Sequence, residues 1–394
     1  MKLLLQKAFS VLFIFLLGAL GLSYAAPILS KKASVNLLTI YPGEDLFSAW
    51  GHSTLWVYDP LHHFDRVYSY GTYDFEQPNF YLNFVKGHLN YQLSTCTMEE
   101  QYLSAEYEQR KIVKQELDLD SAQKQKLLDF LEWNLLPQNR NYLYDFYLDN
   151  CSSRLRDIFQ NCLGSSLRFD KSLQSPLSFR DWMNLYLTPH PWSALGMNIG
   201  LGAPADRPTD YFTQMYLPFN LKSALAKATL NSHPLVKSEL DILPIPSKET
   251  SGSTTPILLV CCSILLVSIL LLFVPRPDSL GAVAFDCVLF AFPLLLGIVL
   301  TLLWAATDHW VCAWNSDLLW ANPLCLSYFF FFSKYRPRKR VLVLLFALCS
   351  LLHCVYFSNS LPEKSIFILF PLILAIQVRI SYRFFAPKKT HSNA

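Results

Sequence analysis

Cysteine is scarce between the two apolar ends of this chain: Cys96, Cys151 and Cys162 are all there is. A set that sparse and odd in number excludes a disulfide framework. On one helix, Cys151 and Cys162 would lie about three turns apart, roughly 16 Å, too far to bridge. A Cys96–Cys162 bridge stays open and would leave Cys151 free. No Cys or His spacing resembles a zinc site, and no metal or other cofactor is expected. Internal repeats and low-complexity tracts are absent as well. With a formal net charge of +3, no nucleic-acid partner is expected. No cysteine follows the small residues that close the first apolar run, so the chain is not expected to be a lipoprotein itself.

Apolar residues are plentiful, at 52% of the chain, and the excess lies at its ends. Met1 to Lys7 is short and basic, Ala8 to Leu22 is apolar, and Ser23-Tyr24-Ala25-Ala26 is small. That pattern predicts a secretory signal peptide over residues 1–26. Residues 27–243 have the composition of a mixed α/β domain, and residues 244–255 form a Pro, Ser and Thr linker. In residues 256–394 hydropathy predicts five transmembrane helices: Ile257–Val274, Gly281–Trp304, Leu318–Phe332, Val341–Phe357 and Ile366–Phe385. Arg276, the Lys334–Arg340 cluster, Lys388 and Lys389 then fall on the cytoplasmic side, with Lys364 alone opposite. The positive-inside rule and the signal peptide therefore agree on an exported first domain. Asp286 lies in the second span, close enough to the cytoplasmic interface to snorkel.

Within the first domain, Val35 to Ile40, Ser53 to Tyr58, Arg66 to Gly71, Leu89 to Leu93 and Lys111 to Leu117 read as strands. Phe80 to Val85, Met98 to Arg110 (capped by Thr97) and Ser121 to Leu135 read as helices. Leu195 to Pro218 reads as a glycine- and proline-rich loop closing over something. Its charged pair, Asp206 and Arg207, is a substrate-binding candidate, with an ordinary surface loop as the alternative.

One stretch carries the chemistry. After Tyr144 to Asn150, Cys151 opens a segment whose apolar residues fall at Leu155, Ile158, Phe159 and Cys162, the spacing of a helix with one buried stripe. Asp149 and Asn150 stand where an N-cap belongs. Cys151 is therefore placed in the first turn, where partial positive charge favours a thiolate and free N–H groups can hold an oxyanion. Far upstream, Gly51-His52-Ser53 opens a strand. A thiol at a helix mouth and a histidine on a strand make a nucleophile and its base, with a third polar group to orient the ring. Tyr68, Tyr70 and Asp74 are open for that third role, and Asn150 for the oxyanion. A packed core cysteine and a satisfied histidine are the bland alternative.

The run Gly51-His52-Ser53, Tyr68 to Phe75, Asn79-Phe80, Gly87 to Tyr91 and Asn139 to Cys151 resembles the Lnb N-terminal periplasmic domain family. Thr307-Asp308-His309, Asn315 and Asn322-Pro323-Leu324 resemble the membrane part of that family. The Asn150-Cys151 element also resembles lecithin:retinol acyltransferase-like enzymes, which are permuted papain-like and use phospholipid acyl donors. The resemblance implies a permuted papain-like domain ahead of the membrane helices, with Cys151 and His52 catalytic. It also implies lipoprotein N-acylation at the inner membrane of a Gram-negative bacterium. A phospholipid would be the acyl donor and a diacylated lipoprotein the acceptor. His309, Asn315 and Asn322 would complete the site or hold a headgroup; helix capping and interfacial hydrogen bonding are the alternative. Two rival functions stand beside this one. The first is an NlpC-like cysteine peptidase or amidase acting on cell-wall peptides, and the second a membrane sensor or scaffold without activity.

Overall fold

The computed structural model describes residues 26–73, 76, 78–245, 252–274, 279–322 and 364–385, with short pieces at 344–345, 348–350 and 352. The signal-peptide segment lies outside the described residues, as do the middle of the linker and most of the third and fourth expected spans.

The strands in chain order are β1 (Ser34–Ile40), β2 (His52–Asp59), β3 (Phe64–Thr72), β4 (Asn90–Cys96), β5 (Ile112–Leu117), β6 (Asn141–Leu143), β7 (Leu167–Arg168), β8 (Thr229–Leu230), β9 (His233–Pro234) and β10 (Val236–Leu243). Seven of them make one antiparallel sheet in the order β10-β5-β1-β2-β3-β4-β6, while β7, β8 and β9 form a small second sheet. The helices of this domain are α1 (Phe80–Lys86), α2 (Met98–Tyr107), α3 (Ser121–Leu135), α4 (Cys151–Leu163), α5 (Phe179–Asn184), α6 (Pro191–Gly200) and α7 (Pro218–Lys227). As the sequence predicts, Thr97 caps α2, in a reciprocal box with Glu100. The expected loop from Leu195 to Pro218 instead holds the end of α6 and two short 3-10 turns.

Alternation along the strands divides the core in two. Val35, Leu37, Leu55, Val57, Tyr68, Tyr70 and Leu93 face α3, α4 and α7, where they meet Leu128, Leu131, Leu155, Phe159 and Leu221. Leu38, Ile40, Val67 and Ile112 face the other way, with Ala105 of α2 among them. Leu155, Ile158, Phe159 and Cys162 are all buried, so the stripe read from the sequence is the face that α4 lays on the sheet. Cys162 belongs to the first layer and Cys96 packs against the second; both are free thiols, with the sheet between them.

The C-terminal region is helical: α8 (Thr255–Leu270), α9 (Leu280–Ala305) and α10 (Lys364–Phe385). Among the described residues one helix, α9, is long and apolar enough to cross a membrane. This is fewer than the five spans expected. α8 is apolar but has 16 residues, and α10 carries Gln377, Arg379 and Arg383. Leu318 to Asn322, the described start of the third span, holds the end of a 3-10 turn at Ser316–Leu319. Asp286 does not snorkel. Its carboxylate accepts two hydrogen bonds from Arg379, at 2.6 and 2.7 Å, and one from Arg383 at 2.5 Å, which locks α9 to α10.

Arg379 is fully buried, so losing its partner leaves an uncompensated charge. Asp286→Asn is expected to destabilise the helical region by about 3 kcal/mol. The detergent-solubilised full chain should show a lower thermal midpoint; an unchanged midpoint would mean that the ion cluster is not holding these helices together.

Candidate active site

The site begins with Asn150. Its backbone is extended, as a cap requires, and its Oδ1 accepts from the N–H groups of Ser152 and Ser153 at 2.9 Å each. Ser153 Oγ accepts in return from the Asn150 N–H at 2.7 Å. The side-chain amide donates to the carbonyls of Phe146 and Tyr216. With its N–H bonds spent this way, Asn150 holds the helix mouth rather than facing an oxyanion. The Cys151 N–H is left, with no acceptor for it among the described residues. Asp149, the other capping candidate, pairs with Arg154, whose guanidinium lies 3.6 Å from the centre of the Tyr142 ring.

His52 starts β2 directly after Gly51. That glycine has φ +77°, and a Cβ there would come within 2.7 Å of the Ile40 carbonyl, so only glycine fits. His52 Nε2 is 2.8 Å from Ser69 Oγ, which leaves Nδ1 for the thiol. The sequence offered Tyr68 and Tyr70 as orienting groups, and the residue between them takes the place. The reason is register. Thr54 pairs with Ser69, so Ser69 shares a face with Thr54 and His52, while Tyr68 and Tyr70 point into the opposite layer. There the Tyr68 hydroxyl donates to Glu132 and the Tyr70 hydroxyl to Asn134 Oδ1. Asp74 lies outside the described residues.

Burial alone would push the Cys151 thiol up. The charge and hydrogen bond of His52, the Ser53 backbone N–H and the Ser152 hydroxyl outweigh burial and bring it down to about 7. Cys312 is the contrast. It lines the same cavity, but burial pushes its thiol up to about 11, with Arg180 opposing too weakly to matter. One thiol of this cavity is thus poised to ionise near neutrality and the other is held protonated.

Cys151 and His52 open into a cavity of about 890 Å³. Its walls are mostly apolar and come from both parts of the chain: Phe47, Phe80 and Phe146 from the sheet domain, Met197 and Leu201 from the α6 segment, and Asp308 to Cys312 from the loop after α9. That loop is docked. Trp310 Nε1 donates to Asp145 Oδ2 at 2.5 Å, and the Gly202 N–H donates to the Val311 carbonyl at 2.7 Å. A Cβ on Gly202 would fall 1.8 Å from the Ala313 carbonyl oxygen, so the approach needs glycine. Asp145 also accepts from the N–H groups of Tyr147 and Leu148. One carboxylate therefore shapes the turn before Cys151 and receives the membrane loop.

The remaining candidates separate. His309 lines the cavity, and its Nε2 lies 3.2 Å from the Phe84 carbonyl oxygen. Asn315 caps the turn at Ser316–Leu319 and donates to the Ile199 and Gly200 carbonyls. Asn322 does not line the cavity. Asp206 stands behind the wall, bound to Arg180 at 2.6 Å. Arg180 in turn donates to the Asn198, Leu201 and Gly202 carbonyls, fixing the segment that forms the wall. Arg207 is exposed and outside the cavity. Sequence reasoning passed over Ser69 and Asp145. The available signals were strand parity for the first and the Asx-type turn chemistry of an Asp ahead of a helix for the second.

The arrangement defines a class: a membrane protein whose sheet domain presents a thiol–imidazole pair to a cavity closed by a loop of its helical region. The model of the Lnb N-terminal periplasmic domain matches residues 25–185, and that of the Lnb transmembrane domain matches residues 248–390. The chain belongs to the Lnb family, with a periplasmic N-terminal part and a transmembrane C-terminal part. No curated protein and no solved structure matches it.

The lowered thiol can be tested directly. Alkylation of Cys151 by iodoacetamide, followed by peptide mass, should accelerate as pH rises through about 7, because the thiolate is the reactive form. His52→Ala removes the stabilising partner and leaves the burial, so the midpoint should move up, to about 8.5 or beyond. An unchanged midpoint in that variant would separate His52 from the thiol.

Proposed function

We propose that this protein is a lipoprotein N-acyltransferase. It would take an acyl chain from a membrane phospholipid and deliver it to the N-terminal amine of a diacylglyceryl-cysteine lipoprotein. The observation that carries this reading is the Cys151–His52 pair opening into an apolar cavity that the membrane loop helps to wall. The Cys151 thiolate attacks the ester carbonyl of the phospholipid. The Cys151 N–H at the helix mouth is placed to hold the oxyanion. The C–O bond breaks, the departing alcohol takes its proton from His52, and lysophospholipid leaves behind a thioester. The α-amine of the lipoprotein, with a pKa of about 8, then attacks that thioester. His52 accepts the amine proton, the C–S bond breaks, and an amide forms. Ser69 holds the imidazole ring in place through Nε2, with Nδ1 left toward the thiol.

The membrane loop matters to the energetics. Lifting a sixteen-carbon chain out of the bilayer into water would cost on the order of 12 kcal/mol. A site beside the loop that follows α9 avoids that transfer. A cell-wall peptidase would use the same pair, but it needs an open aqueous groove, and the aromatic walls weigh against one. On this reading the protein sits in the inner membrane, with its first domain in the periplasm.

Incubation of the full chain with phospholipid vesicles is expected to add the mass of one acyl chain to Cys151. A diacylated lipopeptide should discharge it. Cys151→Ser, nearly isosteric, should keep the fold and lower transfer by at least about a thousandfold. Transfer near the wild-type rate in the purified serine variant would show that Cys151 is not the nucleophile.

A further inference from the structure

Helix α1 has an unusual surface. Tyr81, Leu82, Phe84 and Val85 are each at least half exposed, and so is Phe47 on the neighbouring 3-10 turn. A cluster of this kind is rarely left to water. It is also placed. Phe47, Phe80, Tyr81 and Phe84 line the cavity of Cys151 and His52, so the apolar cluster is the rim of that cavity.

The C-terminal end of α1 is tied to the membrane loop at three points. The Asp308 N–H donates to the Lys86 carbonyl at 2.8 Å, and His88 Nε2 lies 2.5 Å from Asp308 Oδ2. His309 Nε2 lies 3.2 Å from the Phe84 carbonyl oxygen. Gly87, with φ +84°, lets the loop in: a Cβ there would stand 3.1 Å from the Asp308 carbonyl carbon. Asp308 follows the last residue of α9 by three positions, a reach of at most about 10 Å. α9 has 26 residues, about 39 Å of helix, enough for the roughly 30 Å hydrocarbon core. Trp304 at its end packs against Trp314 at a tilt, 4.8 Å between ring centres, and indoles favour the membrane interface. These contacts hold α1 beside the loop that leaves the end of α9.

We propose that α1 and Phe47 form a lipid-entry port: Tyr81, Leu82, Phe84 and Val85 seat in the outer leaflet, and one acyl chain of a bilayer phospholipid passes between α1 and the turn at Leu46–Ser48 to reach Cys151. This rests on the acyl-transfer reading for what enters, but not for where α1 lies. Lys86 at the end of α1 is placed to reach lipid phosphate while its stem stays in the apolar layer.

The test uses the full chain in phosphatidylethanolamine–phosphatidylglycerol vesicles. A photoreactive phenylalanine analogue at Leu82 is expected to yield a phospholipid adduct by mass. The same analogue at Tyr107, exposed on α2 and outside the cavity, should yield none. Absence of adduct at Leu82 overturns the port whatever the activity. Leu82→Glu combined with Val85→Glu, at two positions outside the cavity lining, should slow acylation of Cys151 from vesicle phospholipid by tenfold or more. Acylation of the same variant by a water-soluble short-chain ester should stay at the wild-type rate. A wild-type rate from vesicles in the double variant also overturns the port. If wild type forms no thioester from either donor, the acyl-transfer reading fails, and the adduct at Leu82 alone decides whether α1 contacts lipid.

Discussion

The geometry around Cys151 depends on one side chain amide. Asn150 accepts from two amides of the first turn of α4 and donates to two carbonyls, one before the helix and one from the turn ahead of α7. Four bonds from one short side chain fix where the helix starts and where its first N–H points. They also bring the Tyr216 segment over the helix mouth. The thiol is then set by the helix and the imidazole by the start of a strand, close enough for a hydrogen bond. Strand and helix are both rigid, which is what a site with tight geometric tolerance requires.

A second polar anchor couples the two parts of the chain. Asp145 is shared between the turn that leads into α4 and the indole of Trp310. Around it, Tyr147, Phe179, Tyr216 and Trp310 pack edge to face or tilted, the edge-to-face pairs being favoured by the ring quadrupoles. The loop after α9 is thus part of the wall of the sheet domain as well as a connection between helices. Arg180 and Asp206 reinforce the same wall from behind.

What the sequence discloses here is mostly local. The α4 stripe and its cap lie within a few turns of one another, so periodicity and capping chemistry reveal both. The pairing of His52 with Ser69 depends on strand register, and a reading that fixes the strands but not their facing residues picks Tyr68 and Tyr70. β10 escaped notice although Val236, Leu240 and Ile242 alternate with Lys237, Glu239 and Asp241; as an edge strand it is largely exposed and lies next to the linker. It still closes the sheet against β5. In the helical region, hydropathy finds apolar stretches but cannot see that the carboxylate of Asp286 has two arginines far along the chain as partners.

Those arginines bear on how the protein comes to be inserted. α10, with Arg379 and Arg383 among its last turns, is a poor substrate for spontaneous partition into lipid, since each guanidinium is costly at depth. α9 reaches the insertion machinery first, carrying Asp286, and offers the charge that makes α10 acceptable. The place of α10 is therefore set by its pairing with α9 as well as by its own hydropathy.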